Sequence, residues 1–201
     1  YGTKEEKDKY LNKLADGEYI PCFGLTGQHS GSDAASMNDK GELFEKDGKK
    51  FIKLNISKRY ITLAPISNLI GVAFKLEDPN NLLSKGKEGI TLALIEPKEF
   101  DIDNTNVHNP MDVPFPNGTL KTKDLIIPLE KVIGGEENVG NGWRMLMECL
   151  AVGRSISLPS CAVASAKVTT NYAGAYSIYR RQFKTMLADM EGVQRKLANI
   201  G

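Results

Sequence analysis

The stretch Ile20–Asp33 carries residue types that together could hold a ligand. It begins as an apolar strand and ends as a loop of glycine and hydroxyl residues. Glycines let the main chain approach a bound molecule closely, while hydroxyl and backbone N–H groups suit a flat polar ring or a phosphate. The residues concerned are Gly24, Gly27, Gly31, Thr26, Ser30 and Ser32. An ordinary strand and turn is the competing interpretation of the same composition.

The overall composition argues against several classes of partner. The 201 residues include 26 Lys and Arg against 25 Asp and Glu, so the net charge of +1 gives no reason to expect nucleic acid or an acidic membrane surface. We expect no membrane-spanning segment, because no unbroken apolar run reaches bilayer length. The two histidines and three cysteines have no metal-binding spacing, so we expect no metal site. The chain opens without Met or a signal peptide, and we expect it to be cut from a longer protein.

Local patterns predict a helix followed by a β domain. Thr3 and Glu6 have the spacing of a capping box at the start of a helix that Gly17 ends. Short apolar or β-branched runs then recur to about residue 130, and Asp47-Gly48 predicts a tight hairpin between two of them. The predicted strands are Glu42–Phe44, Phe51–Leu54, Tyr60–Leu63, Leu69–Phe74, Ile90–Ile95 and Leu125–Ile127. Seven or so short strands without alternating helices predict an antiparallel barrel or sandwich rather than a doubly wound dinucleotide fold.

From Trp143 onwards the apolar residues recur at helical spacing. Pro159 predicts a kink or break in this long segment, and a later helical segment has Asp189 as its expected N-cap. The sequence therefore predicts an α+β fold of three parts. These are residues 1–18 as the end of an N-terminal helical domain, 19–135 as a β middle domain and 141–201 as the start of a C-terminal helical domain.

Five segments resemble the acyl-CoA dehydrogenase family, in the right order and at fitting separations over nearly all of the chain. Each match alone is weak, but the five together are specific. The matching segments are Tyr1–Glu18, Phe23–Thr26 with Gly31–Asp33, Tyr60–Thr62, Gly140–Arg154, and Tyr179–Phe183 with Gln194. The nearest resemblance is to the enlarged bacterial enzymes of fatty-acid β-oxidation. Those enzymes carry Arg-Tyr-Ile-Thr-Leu-Ala-Pro, as residues 59–65 do here, and a proline in the long helix, as at Pro159.

The resemblance implies that this chain contributes to a flavin site with FAD as cofactor. Thr26 and the backbone around it would line the isoalloxazine ring and the pyrophosphate, Tyr60 would lie against the ring, and Thr62 would donate a hydrogen bond near N5. Ser32 would also lie near the acyl thioester, and Arg154 would face the substrate cavity. The implied cofactor-binding residues are Phe23, Leu25, Thr26, Gly31, Ser32, Tyr60, Thr62, Arg180, Gln182 and Phe183, the last three reaching the FAD of a neighbouring subunit.

The implied activity is the oxidation of acyl-CoA to trans-2-enoyl-CoA by an FAD-dependent acyl-CoA dehydrogenase of the bacterial cytoplasm. The resemblance also implies a homo-oligomer and electron-transferring flavoprotein as the electron acceptor. No catalytic residue is assigned in this chain, because Gly153 occupies the position where some members carry the base and most others carry it beyond Gly201. Related flavin monooxygenases and nitroalkane oxidases, and a non-catalytic β-barrel interaction module, stay open as alternatives.

Two departures from the family pattern concern the proposed cofactor contacts. The usual Glu-Pro after Thr26 is Gly27-Gln28, and the usual Gly after Phe183 is Lys184. Both departures lie within segments that resemble the family. The cofactor contacts implied for these two segments therefore depend on the local structure that Gly27-Gln28 and Lys184 adopt.

Overall fold

The computed structural model describes residues 1–84 and 86–200, and the chain divides into two compact units. Unit 1 is Tyr1–Leu146 and unit 2 is Met147–Gly201. The predicted α+β class is confirmed, since unit 1 combines a helix with a six-stranded sheet and unit 2 is largely helical. The three-part division at 1–18, 19–135 and 141–201 stays a prediction.

A capped helix, α1 (Lys4–Ala15), precedes the sheet. The Thr3 N–H donates to the Glu6 carboxylate at 2.6 Å, and the Thr3 hydroxyl accepts from the Glu6 N–H at 3.2 Å. This is the predicted capping box, in which two otherwise unpaired N–H groups are satisfied. The helix ends just before Gly17, whose φ of 74° is the left-handed conformation that favours glycine.

The sheet of unit 1 is nearly closed and resembles a barrel. Its strands are β1 (Pro21–Gly24), β2 (Lys40–Lys46), β3 (Lys49–Thr62), β4 (Leu69–Glu77), β5 (Gly89–Ile95) and β6 (Asn117–Pro128). The spatial order is β1-β4-β2-β3-β6, with β5 also paired to β4. Strands β1 and β2 run parallel to β4, whereas the β2–β3, β3–β6 and β4–β5 pairs are antiparallel. Strand β4 therefore joins the first strand to the rest of the sheet.

The hairpin between β2 and β3 forms where the sequence predicts it. Asp47 and Gly48 have φ values of 53° and 73°, as the favoured two-residue turn requires. The separate strand predicted at Tyr60–Leu63 is wrong, because Lys49–Thr62 is one strand of 14 residues. Two register shifts against β6, between Leu54 and Ile56 and between Lys58 and Ile61, let this long strand bend without ending.

Alternate residues of β3 build the core of unit 1. Ile52 and Leu54 are fully buried and Ile56 is 5% exposed, which is the period-two pattern of a strand with one face inward. The same face continues to Lys58, which is 0% exposed. A lysine therefore occupies a core position in β3, following three inward-facing apolar residues on the same face.

Unit 2 contains most of a long helix, a short hairpin and a short helix. Helix α2 (Gly142–Tyr179) is continuous over 38 residues, so the break predicted as one outcome at Pro159 does not occur. A proline removes one N–H and crowds the preceding turn but does not by itself end a long helix. Strands β7 (Arg181–Gln182) and β8 (Thr185–Met186) pair, and α3 (Glu191–Ala198) follows. The predicted N-cap Asp189 is wrong, because the cap residue of α3 is Met190.

Helix α2 is long enough and apolar enough, by length and composition, to cross a bilayer. The sequence criterion of an unbroken apolar run excluded such a segment, because serine, glycine, Pro159 and charged residues such as Arg154 interrupt the apolar residues of the helix. The mean hydropathy of the helix tolerates these interruptions and leads to the opposite result. A single helix of this kind is weak evidence for a membrane span, because core helices of soluble proteins pass the same test.

A carboxylate on the sheet side anchors α1. Glu96 accepts hydrogen bonds from the Lys9 ammonium at 2.5 Å, the Tyr10 hydroxyl at 2.9 Å and the Tyr19 hydroxyl at 2.8 Å. Burial alone would raise the pKa of Glu96, but the bonds from Lys9, Tyr19 and Tyr10 outweigh it and lower the pKa to about 2. The ionised carboxylate is therefore the form that holds the helix.

Glu96→Gln is expected to lower the free energy of unfolding by about 1–2 kcal/mol at neutral pH. Because the pKa of Glu96 falls from 4.5 to about 2 on folding, its contribution is present above pH 4.5 and is lost as pH falls towards 2. Denaturant unfolding from pH 7 to pH 2 measures this: the gap between wild type and variant should close on acidification. Glu18→Gln, at an exposed pair with Lys13, is the control and should leave the pH profile unchanged.

Candidate functional site

Strand β1 presents Phe23 to a cavity in unit 1. Phe23 pairs with Gly71 on β4, and a Cβ at Gly71 would lie 2.8 Å from the Phe23 ring. The absence of a side chain at Gly71 therefore lets the Phe23 ring lie close to the sheet backbone. Phe23, Thr62 and Leu63 line the same apolar cavity, of about 640 Å³, together with residues of α1. The structure thus brings together two of the predicted cofactor-binding residues, Phe23 and Thr62.

The loop after β1 is fastened to β3 through main-chain hydrogen bonds. The Arg59 N–H donates to the Thr26 carbonyl at 3.0 Å, and the Gly27 N–H donates to the Ser30 carbonyl at 3.1 Å. Gly27 also forms an isolated antiparallel bridge with Lys58. Thr26 is consequently held beside the part of β3 that leads into Tyr60.

The remaining predicted residues of this loop differ in exposure. Leu25 is half-buried, and its carbonyl accepts a hydrogen bond from Lys58 at 3.0 Å. Gly31 and Ser32 are exposed, and a Cβ at Gly31 would meet no atom within 4 Å. This open space beside a hydroxyl residue is compatible with a ligand that contacts the main chain. A second cavity, of about 330 Å³, is lined by residues 27–30.

Tyr60 and Thr62 project outward from β3 on either side of a buried residue. Tyr60 is 56% exposed, Ile61 is 3% exposed and Thr62 is exposed. The φ of Tyr60 is 56°, a left-handed conformation that a bulky residue rarely adopts, and it lies within the register shift against β6. The shift turns the Tyr60 side chain out of the core. Its ring is 4.8 Å from that of His108, centroid to centroid, and the Arg59 guanidinium lies 5.3 Å from its centroid.

In the described part of the chain, five buried polar side-chain atoms have no hydrogen-bond partner, and three of them belong to residues beside Tyr60 or Thr62. Arg59 and His108 contact the Tyr60 ring, and Asn117 pairs with Thr62 across the β3–β6 ladder. Buried polar groups are usually paired, so a cluster of exceptions points to a polar ligand or solvent. The atoms are Ser30 Oγ, Arg59 Nε, His108 Nε2, Asn117 Oδ1 and Thr119 Oγ1. Hydroxyl, amide and guanidinium groups beside an exposed aromatic ring fit a flat heteroaromatic ring carrying phosphates, which is the chemistry of FAD.

The predicted residues of unit 2 lie on α2 and on the β7–β8 hairpin. Arg154 is exposed on α2, and its guanidinium lies 4.0 Å from the Met147 sulfur. Arg180 and Gln182 are exposed on the hairpin, and Phe183 at its turn is 92% exposed. Phe183 and Lys184 have φ values of 51° and 64°, so the turn adopts the conformation that favours the glycine usual in the family. The departure at Lys184 therefore leaves the hairpin formed, with two non-glycine residues in left-handed conformation.

Metal-binding groups do not come together in the part of the chain that the structure describes, which shows no cluster of three His, Cys, Asp or Glu side chains. The predicted roles of the site residues stay predictions. Four residues that sequence reasoning missed also belong to this region of unit 1: Lys58, Asp39, Arg59 and His108. Of these four, Lys58 could have been found from the sequence, because it continues the series of inward-facing alternate residues in β3.

No family model matches the chain, but several known proteins are similar to it. Protein HemX of Proteus mirabilis is 44% identical over 104 residues, covering 51% of this chain and 61% of that protein. A 3-(aryl)acrylate reductase of Clostridium sporogenes is 34% identical over 203 residues, covering 99% of this chain and 50% of that protein. A short-chain specific acyl-CoA dehydrogenase of Clostridium acetobutylicum is 32% identical over 203 residues, covering 100% of this chain and 50% of that protein. The chain spans about half the length of the two relatives that it matches from end to end.

Solved structures also match this chain over its whole length. An acyl-CoA dehydrogenase from Geobacillus kaustophilus superposes with a TM-score of 0.77 at 27% identity, over 100% of this chain and 50% of that one. An acyl-CoA dehydrogenase from Bacillus anthracis, solved in complex with FAD, superposes with a TM-score of 0.76 at 28% identity. The match covers 99% of this chain and 32% of that one. The similarity to acyl-CoA dehydrogenases therefore extends over both units of the chain.

Proposed function

We propose, on the premise that this chain belongs to the acyl-CoA dehydrogenase family along its whole length, that it forms the flavin-binding middle part of an FAD-dependent acyl-CoA dehydrogenase. The reaction is the conversion of acyl-CoA to trans-2-enoyl-CoA in bacterial fatty-acid β-oxidation. The observation that carries this proposal is the junction of the Thr26 loop with β3. There the Thr26 carbonyl accepts from the Arg59 N–H, and the exposed residues Tyr60 and Thr62 follow directly.

Each residue of this junction has a role suited to its chemistry. Bound FAD supplies the hydride acceptor of the reaction. The Thr62 hydroxyl orients the ring by donating a hydrogen bond, while Phe23 and Tyr60 cover apolar ring surface and exclude water. Thr26 and Ser32 offer hydroxyl and main-chain donors to the polar edge and the phosphates of the cofactor. Ser32 and Arg154 are proposed to contact the acyl-CoA substrate.

The abstraction of the substrate α-proton needs a base at the reacting carbon. None of the described residues is assigned this role, and Gly153 has no side chain to perform it. We therefore propose that the 201 residues alone bind the cofactor but do not turn over substrate. Turnover of an acyl-CoA by this chain with an artificial electron acceptor would contradict that part of the proposal.

The β7–β8 hairpin is proposed to contact the FAD of a neighbouring subunit. The nearly complete exposure of Phe183 within unit 2, at 92%, supports an external partner for this side chain. Arg180 is a suitable phosphate ligand because its guanidinium can donate two hydrogen bonds at once. This arrangement makes the protein a homo-oligomer. We further propose electron-transferring flavoprotein as the acceptor and the bacterial cytoplasm as the location.

FAD binding by the chain is the direct test. The purified chain is expected to retain FAD through gel filtration, and Thr62→Val is expected to raise the FAD dissociation constant about tenfold, because one hydrogen bond to the ring is lost. Thr26→Ala should weaken binding in the same direction. Flavin absorbance of the protein fraction and fluorescence titration provide the measurements.

The control is Thr105→Val, which removes an exposed hydroxyl that bonds to Asp103. Its FAD affinity should equal that of wild type. Failure of the wild-type chain to retain any FAD would contradict the proposed function, and it is the result expected of a non-catalytic interaction module. Equal loss of affinity in Thr105→Val and Thr62→Val would assign the effect to general destabilisation.

A further inference from the structure

A buried ion pair lies beneath the loop that carries Thr26. The Lys58 ammonium and the Asp39 carboxylate are 2.6 Å apart, and their side chains are 0% and 5% exposed. Lys58 Nζ also donates to the Leu25 carbonyl at 3.0 Å, while Asp39 accepts from the Ser57 N–H at 2.7 Å. The pair therefore joins three segments: the loop after β1, the residues before β2, and β3.

The loop main chain lies directly against this pair. A Cβ at Gly27 would lie 3.0 Å from the Asp39 carboxylate and 3.0 Å from the Ser30 hydroxyl. A Cβ at Gly24 would lie 3.4 Å from the Lys58 side chain. The glycine that replaces the family's usual glutamate at position 27 thus has a local explanation, because the ion pair and Ser30 occupy the space that a side chain would need.

Packing alone does not explain a charge at this position. The preceding inward-facing residues of β3 are Ile52, Leu54 and Ile56, so an apolar side chain would suit the core at Lys58 equally well. Burial lowers the pKa of Lys58, and only the hydrogen bond and charge of Asp39 oppose this. A buried pair adds little net stability compared with apolar replacements, but it can fix one arrangement of the groups that it bonds. Here the bonded group is the Leu25 carbonyl, immediately before Thr26.

We propose that Lys58 and Asp39 are positioning residues for the cofactor site, fixing the main chain of Leu25–Gly27 so that Thr26 faces the ligand. The inference rests on the proposed flavin site but concerns residues that lie below it. In this proposal neither side chain contacts the ligand, since Lys58 is fully buried and the Asp39 side chain is 5% exposed.

The test uses the double variant Lys58→Met/Asp39→Leu in the full chain. Both charges are removed together, because removing one partner leaves an uncompensated buried charge that destabilises the fold by itself. The main-chain bonds of the loop then lose their underlying support. Amide exchange at Gly27 and at Arg59, whose N–H binds the Thr26 carbonyl, is expected to become about tenfold faster without FAD. The FAD dissociation constant is expected to rise about tenfold.

A matched control removes an exposed ion pair of the same sheet, Lys40→Met/Glu77→Leu. This pair joins β2 to β4, with side chains 58% and 51% exposed. Exchange at Gly27 and FAD affinity should both equal the wild-type values in this control. Thermal unfolding of each variant checks that it is folded.

The two readouts separate this inference from the proposed function. Unchanged exchange at Gly27 and Arg59 in the buried double variant would overturn the positioning role, whether or not FAD binds. Faster exchange with unchanged FAD affinity in this variant would also overturn the positioning role. The ion pair would then hold the loop, but the position of the loop would not affect cofactor binding. Failure of the wild-type chain to bind FAD contradicts the proposed function, while the exchange measurement still tests the anchor.

Discussion

Phe74→Ala is expected to lower the free energy of unfolding of unit 1 by about 3–5 kcal/mol, the cost typical of a large cavity in a core. Phe74 is fully buried on β4, the strand that pairs with β1, β2 and β5. Its ring covers Gly41, where a Cβ would lie 2.6 Å from a ring carbon. Removing the ring therefore leaves a cavity beside that glycine. Denaturant unfolding followed by circular dichroism measures the loss.

The packing explanation predicts coupling between the two positions. Gly41→Ala alone should destabilise the chain, because its Cβ also would lie 2.8 Å from the Ile52 side chain. In the Phe74→Ala background the same change should cost less, since part of the clash has been removed. Strict additivity of the two changes would contradict this account. Ile126→Ala, at an exposed position of β6 with 53% exposure, is the control and should change stability little.

The elements predicted correctly depend on residues close together in the chain. The Thr3–Glu6 capping box and the Asp47-Gly48 turn are decided within a few residues, and both form as predicted. The continuation of β3 through Tyr60 depends instead on pairing with β6, whose residues are far away in sequence. The continuous passage of α2 through Pro159 likewise depends on the stability of a long helix on both sides. Local sequence patterns contain no information about strand pairing over such distances or about the stability of a whole long helix.

The candidate site divides in the same way. Family resemblance indicated Phe23, Thr26 and Thr62 as site residues, and the structure brings Phe23 and Thr62 to one cavity. The anchor beneath Thr26 was not predicted. Lys58 could be recognised as a charged residue in an inward-facing series, but the loop geometry that supplies Asp39 has no local sequence signal. Side-chain partners across a sheet become visible only with the tertiary structure.

Gly118→Ala is expected to destabilise unit 1 by about 3 kcal/mol, the upper range for overpacking against rigid atoms. Gly118 pairs with Ile61 on β3, and its neighbour Asn117 pairs with Thr62. A Cβ at Gly118 would lie 2.2 Å from the carbonyl oxygen of Asn106. A main-chain atom cannot rotate away as a side chain can, so β6 and the segment around Asn106 must move apart, directly beside the Asn117–Thr62 pair.

The consequence extends from stability to the proposed cofactor site. Thermal unfolding should show a large decrease in the melting temperature. FAD affinity measured well below that temperature should fall as well, because β6 pairs with β3 at Thr62 and its displacement shifts that residue. Gly192→Ala is the matched control: this glycine lies in α3, where a Cβ meets no atom within 4 Å. Alanine there should stabilise the helix by about 0.5–1 kcal/mol and leave FAD affinity unchanged. Wild-type stability of Gly118→Ala would contradict this explanation. It would mean that the 106–108 segment moves aside at little cost and that its contact with Gly118 does not hold Thr62 in place.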